Sequence, residues 1–159
     1  MNQEKEKQYF TSLNTNIHYS PKRLDYLEQL SMLATRKRSS VARLTRNSKI
    51  FKTIIQAIQQ KKGENIISLD LRKIPEAVTD FFIICQASNT TQVKAISDYV
   101  EAQVKKECDE NPFRHEGQHA SQWVLVDYVN VVVHVMHAET RKFYKLEEMW
   151  SDANEVDHS

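Results

Sequence analysis

The sequence predicts an α/β domain: a small mixed β-sheet packed with helices, preceded by an N-terminal extension. Three observations predict it. Apolar residues recur at helical spacing in separate stretches. Other stretches alternate apolar and polar residues, or stay continuously apolar, as strands do. The order helix–strand–strand–helix–strand–strand–helix suits helices packed on a sheet.

The extension comes first. Residues 1–48 hold no glycine and scattered Ser, Thr and Asn. A helix is expected over residues 20–38. Ser20 can cap it, Pro21 suits its first position, and Leu24, Leu27, Leu30 and Leu33 form a loose stripe. Arg36, Lys37 and Arg38 favour its C-terminal end. Residues 39–48 read as flexible. Composition favours a disordered tail. The alternative is a contact with RNA phosphates, because residues 29–62 carry many bases and no acid. Met32 is an alternative start.

The pattern sharpens from Lys49. Asn47 or Ser48 can cap a helix with Phe51, Ile54, Ile55 and Ile58 on one face, and Gly63 is expected to end it at C′. Ile67, Leu69 and Leu71 share one strand face. Phe81 to Cys85 form a continuous apolar run, expected in a strand covered on both faces. Ser88 or Asn89 opens a second helix reaching about Cys108, with Val93, Ile96, Val100 and Val104 inward. A short extra strand is expected near residues 113–115. Residues 121–127 and 131–137 read as an antiparallel hairpin turning at Asp127-Tyr128-Val129-Asn130. The step through residues 80–127 reads as a right-handed strand–helix–strand crossover. Phe143, Leu146 and Trp150 predict a closing helix over residues 139–150 with these three in the core. The expected division is 1–48 extension, 49–153 folded domain and 154–159 C-terminal tail.

Charge divides the chain. The net charge is +1, but residues 1–48 carry +5 and residues 49–159 carry −4. A mildly acidic domain does not suit nucleic acid across its main face; it suits a basic protein partner. No apolar run approaches the roughly 20 residues of a membrane span, and no membrane association is expected. Cys85 and Cys108 form no CxxC pair and read as reduced thiols.

Enzymatic chemistry finds little support. Phosphate loops need clustered glycines, and Gly63 and Gly117 stand alone. Nucleotidyl transfer needs a Gly-Ser turn and paired carboxylates for Mg²⁺. Here the turn reads Gln86-Ala87-Ser88 with no Asp-x-Asp after it. His115, Glu116 and His119 lie in one loop, with His134 and His137 on a strand, but the last two have opposite parity. No metal site is expected. A Cys85–His134 nucleophile pair fails because Cys85 lies in an apolar strand.

Surface chemistry remains. On the last hairpin strand Val131, Val133 and Val135 face the core, and Val132, His134 and Met136 face the other way. Trp123, Leu125 and Asp127 share a face of the preceding strand. Trp123 is then either core, or sits beside His134 on a sheet face that no helix covers, where it would serve as a binding hot spot.

Asp80-Phe81-Phe82-Ile83-Ile84-Cys85 followed by Gln92-Val93-Lys94-Ala95-Ile96 resembles the first signature of the ribosomal silencing factors (Iojap-like, RsfS). His115-Glu116-Gly117, Trp123 to Tyr128, Val131 to Met136, and Arg141 to Glu147 with Trp150 resemble later motifs of that family, in the same order. The resemblance spans residues 50–153. Two positions depart from it: Ala87 and Val129 stand where the family commonly has glycine, which implies altered turns.

The resemblance implies a nucleotidyltransferase-like fold without catalytic groups, no enzymatic activity and no cofactor. It implies a cytoplasmic protein that binds ribosomal protein fourteen of the L series on the large ribosomal subunit. There it would sterically stop the small subunit from joining and repress translation. It is compatible with rRNA contact by the N-terminal segment and with a homodimer of the free protein. Carried onto this chain, the implied docking residues are Glu116, Trp123, Asp127, His134, Met136, Arg141 and Tyr144. Asp127 has the alternative of capping the hairpin turn. Arg141 has that of pairing with Glu147 or a sheet carboxylate.

Overall fold

The computed structural model describes residues 44–159; the helix expected over residues 20–38 lies outside the described residues. The described chain runs α1 (Lys49–Gln60), β1 (Glu64–Asp70), β2 (Phe81–Ala87), α2 (Thr90–Cys108), β3 (Arg114–Glu116), β4 (Trp123–Asp127), β5 (Val131–His137), α3 (Ala138–Tyr144), α4 (Leu146–Met149) and β6 (Asn154–Asp157). The six strands form one sheet in the order β3-β4-β5-β2-β1-β6. Only the β2–β5 pair is parallel; the others are antiparallel, so the sheet is mixed.

Side-chain alternation divides the core in two. On one face α1 and α2 bury Phe51, Ile54, Ile58, Val93, Ile96, Val100 and Val104 against Phe81, Ile83, Val124, Val126, Val131, Val133 and Val135. Each such side chain contributes roughly 1.5–3 kcal/mol of hydrophobic free energy. The helix ends follow local chemistry. Asn89 caps α2, its Oδ1 accepting from the Gln92 amide at 2.8 Å. At the end of α1, Lys62 takes the left-handed conformation and the Gly63 amide donates to the Ile58 carbonyl at 2.9 Å. Gly63 therefore sits one residue beyond its expected C′ position. It is needed there for close approach, since a Cβ would lie 2.4 Å from Ile58 Cγ2.

The sequence left the other face open between buried core and a surface without a helical cover. This face is covered. Residues 71–77 and the α3–α4 segment fold over it, burying Leu71, Ile74, Leu146 and Trp150 against Leu69, Phe82, Ile84, Trp123, Leu125 and Met136. The closing segment is not one helix. Lys145 adopts φ 49° and separates α3 from α4. That break turns Phe143 out of the expected core stripe, and it is 78% exposed.

Two further expectations are corrected. The parallel partner of β2 is β5 rather than β4, because β4 pairs antiparallel with the far side of β5. Residues 154–159 are not a tail. Asn154–Asp157 pairs antiparallel with β1 as β6, and the His158 amide donates to the Ile66 carbonyl at 2.8 Å. Its single apolar residue, Val156, carries too little periodicity to mark a strand.

Candidate functional site

The aromatic side chains of the C-terminal face form a line from surface to interior. Phe143 meets Tyr144 with ring centroids 5.0 Å apart, and Tyr144 meets Trp123 at 5.3 Å. Trp123 meets His134 at 6.0 Å, His134 meets Phe82 at 4.6 Å, and Phe82 meets Trp150 at 5.4 Å. Most contacts are edge-to-face, the favourable geometry for aromatic pairs.

This line reassigns the expected docking residues. Trp123, His134 and Met136 are buried, with relative exposures of 1%, 0% and 0%. The α3–α4 segment covers them, so they do not form the uncovered face. Asp127 is buried too: its Oδ1 accepts from the Val129 amide at 2.7 Å, capping the hairpin turn. That bond supports Val129 at φ 72°, a conformation costly for a β-branched residue. Val129 thus holds the glycine-like turn without being glycine. Arg141 is buried as well. Its Nε donates to Glu147 Oε1 at 2.5 Å and its Nη1 to the Asn65 carbonyl at 2.7 Å, tying α3 to α4 and β1.

Glu116 and Tyr144 keep partial exposure. Glu116 Oε1 accepts from Arg114 Nη1 at 3.2 Å. Next to it, Gly117 has φ 90°, and a Cβ there would lie 2.2 Å from the Trp123 carbonyl oxygen. The backbone after Glu116 thus lies against the main chain of Trp123. Burial of its hydroxyl raises the Tyr144 pKa. A cleft of about 700 Å³ opens beside α3, lined by Gln86, Arg141, Lys142 and Lys145 and by Glu139, Glu147, Glu148 and Glu155. With Glu147 paired to Arg141 and Lys145 Nζ 3.9 Å from Glu148 Oε1, both signs of charge line its rim.

Sequence reasoning missed Phe143 as an exposed group. It is one of two large hydrophobic side chains described as exposed, with Phe113 at 44%. The missing signal was the left-handed Lys145, which its residue type does not announce.

The chemistry of the remaining candidates is structural. Cys85 and His134 lie on opposite faces of the sheet. Burial pushes the Cys85 thiol up to about 12, so it carries no thiolate near neutral pH. Burial pulls His134 down to about 3. His115 Nδ1 contacts Glu101 Oε2 on α2, and His137 Nε2 lies 3.1 Å from the Ser88 carbonyl. Among the described residues no three His, Cys, Asp or Glu side chains are grouped to hold a metal. No described helix is long and apolar enough to cross a membrane.

Comparison with known proteins gives a consistent result. The family model described as ribosomal silencing factor during starvation matches residues 45–159. A ribosomal silencing factor RsfS from Halalkalibacterium halodurans is 35% identical over 114 residues, 70% of this chain and 93% of its own. Another, from Bacillus subtilis, is 39% identical over 107 residues, 65% of this chain and 86% of its own. A crystal structure of a Chromobacterium violaceum protein is similar with a TM-score of 0.61 and 35% identity, over 65% of this chain and 84% of that one.

Proposed function

This chain belongs to the ribosomal silencing factor family, and from that premise we propose that it docks on the large ribosomal subunit, on ribosomal protein fourteen of the L series, and bars the small subunit from joining. The outcome is repression of translation in the cytoplasm by steric exclusion, with no reaction catalysed.

The observation that carries the proposal is Phe143, 78% exposed and backed by Tyr144 and then Trp123. An aromatic ring held outward on a rigid, packed base is the kind of side chain that dominates interfaces. The contact groups are Phe143, Tyr144 and Glu116, with the rim carboxylates Glu139 and Glu155 available to basic side chains of the partner. Trp123, His134, Met136 and Arg141 act from below, by holding this surface in shape, while Asp127 caps the hairpin turn.

Co-sedimentation of the full chain with purified large subunits, together with a subunit-joining assay, tests the proposal. Phe143→Ala is expected to weaken binding by about tenfold or more and to release the block on joining. Unchanged binding would remove Phe143 from the interface. Failure of the wild-type chain to block joining would remove the steric mechanism.

A further inference from the structure

The opposite side of the sheet carries a pocket of different chemistry. It measures about 200 Å³ and is lined by Arg46, Phe51, Lys52, Ile55, Gln56 and His158. Three of the six are basic types and none is acidic. The volume falls below the ~300–1,000 Å³ usual for small-molecule sites, so it accommodates one compact group and not a whole cofactor.

The geometry points to a phosphate-binding site for an RNA backbone, built from Arg46, Lys52 and His158 where the basic N-terminal stretch meets the folded domain. This deepens the ribosome-binding proposal: it rests on that proposal for the identity of the RNA, and not for the site itself.

Arg46 is already oriented. Its Nε donates to Ser68 Oγ at 3.0 Å, its Nη2 to the Asn154 carbonyl at 2.9 Å, and its guanidinium lies over the Phe81 ring at 5.4 Å. A side chain held this way loses little freedom when it binds an anion. Asp70 lies 3.9 Å from Arg46 Nη1, but Arg72 takes both oxygens of that carboxylate at 2.9 and 2.6 Å. Two guanidinium groups therefore share the Asp70 carboxylate, while Asp80 acts on Arg72 and Asp157 on His158.

His158 is tied to the same hydroxyl. Ser68 Oγ, which accepts from Arg46 Nε, lies 2.8 Å from His158 Nε2. Burial and the Arg46 charge hold the His158 pKa down. An anion beside Arg46 offsets the second of these causes.

The surroundings extend the site into a track. A second pocket of about 340 Å³ shares Lys52 and Gln56 and adds Lys49, so basic and amide groups continue along α1, with Glu107 of α2 facing them. The chain enters the described part at Leu44, whose carbonyl lies 3.4 Å from Arg72 Nη1. The cleft on the other face mixes four glutamates with Arg141, Lys142 and Lys145. The acid-free lining of the smaller pocket therefore favours RNA on this side.

Fluorescence anisotropy of the full chain with a labelled RNA stem-loop, across a salt series, tests the site. Exposed Lys52 forms no part of the core, and Lys52→Glu is expected to weaken binding about tenfold and to lower the salt slope by about one unit. Gln56→Glu is expected to weaken it in the same sense, which covers the case of a poorly folded first variant. RNA is also expected to shift the His158 ring signals in NMR spectra and to raise that residue's titration midpoint. Phe143→Ala is expected to leave RNA affinity unchanged while losing large-subunit docking, so the two surfaces fail separately. The site is overturned by absence of RNA binding, by unchanged affinity in both variants, or by RNA binding that leaves the His158 signals in place; in the last case the N-terminal stretch alone holds the RNA.

Discussion

The indole Nε1 of Trp123 donates a hydrogen bond to Nδ1 of His134 at 3.2 Å, and both residues are buried. The bond needs the lone pair on Nδ1, so the imidazole proton sits on Nε2 and the ring is neutral. Burial holds the His134 pKa at about 3, against about 6.5 in an unfolded chain. Below pH ~6.5 the unfolded state takes up a proton that the folded state refuses. This contribution to stability is complete above about 6.5 and is lost as pH falls toward 3, by about 1.4 kcal/mol per unit within that window. Urea unfolding at pH 7, 6, 5 and 4 should show the decline, and His134→Gln should show a shallower one. A wild-type profile no steeper than that of the variant would contradict the assignment.

Trp123→Ala should act first on stability. The ring packs against Tyr144 and His134 in the second core cluster, and emptying that volume costs about 3–5 kcal/mol. Thermal melting measures it. A melting temperature equal to wild type would contradict the buried position. Loss of ribosome binding in this variant, without the stability measurement, says nothing about contact.

Phe143→Ala should behave in the reverse way. A ring this exposed contributes little to the fold, and the change should stay within about 0.5 kcal/mol. Docking should nevertheless fall as described above. A large drop in melting temperature would assign Phe143 to packing.

Gly117→Ala should destabilise by about 1–3 kcal/mol, because φ is 90° and the new Cβ would press on the Trp123 carbonyl. Hydrogen exchange should localise the loosening to β3 and the start of β4. Uniform protection like that of wild type would show that the loop adjusts without cost.

Arg141→Met should cost about 2 kcal/mol: it leaves the half-buried Glu147 carboxylate without its guanidinium partner and the Asn65 carbonyl without a donor. The double variant with Glu147→Leu should recover part of that loss. Strictly additive losses in urea unfolding would mean the pair is not coupled.

Much of this architecture was legible in the chain. The stripe Val93, Ile96, Val100, Val104 and the alternation of Val131, Val133 and Val135 match the faces they occupy, because period alone selects a side. The resemblance motifs located the family before any coordinate. What period cannot say is which face is covered and by what. Trp123 and His134 have the same pattern whether they meet solvent or Trp150. The cover depends on a left-handed Lys145, a local choice with no signature in residue type. β6 was invisible for a different reason: its register with β1 comes from backbone bonds, and its side chains are mostly exposed. The Arg46–Ser68–His158 cluster joins residues 90 positions apart in sequence at its widest step, a proximity only the finished sheet creates.

β6 also acts as a seal. Without it the outer rim of β1 would offer a row of unpaired amides and carbonyls beside Ile67 and Leu69, an invitation for a neighbouring molecule to add its own strand. A chain clipped after Ala153 would therefore be prone to clump into oligomers at concentrations where the intact one stays dispersed.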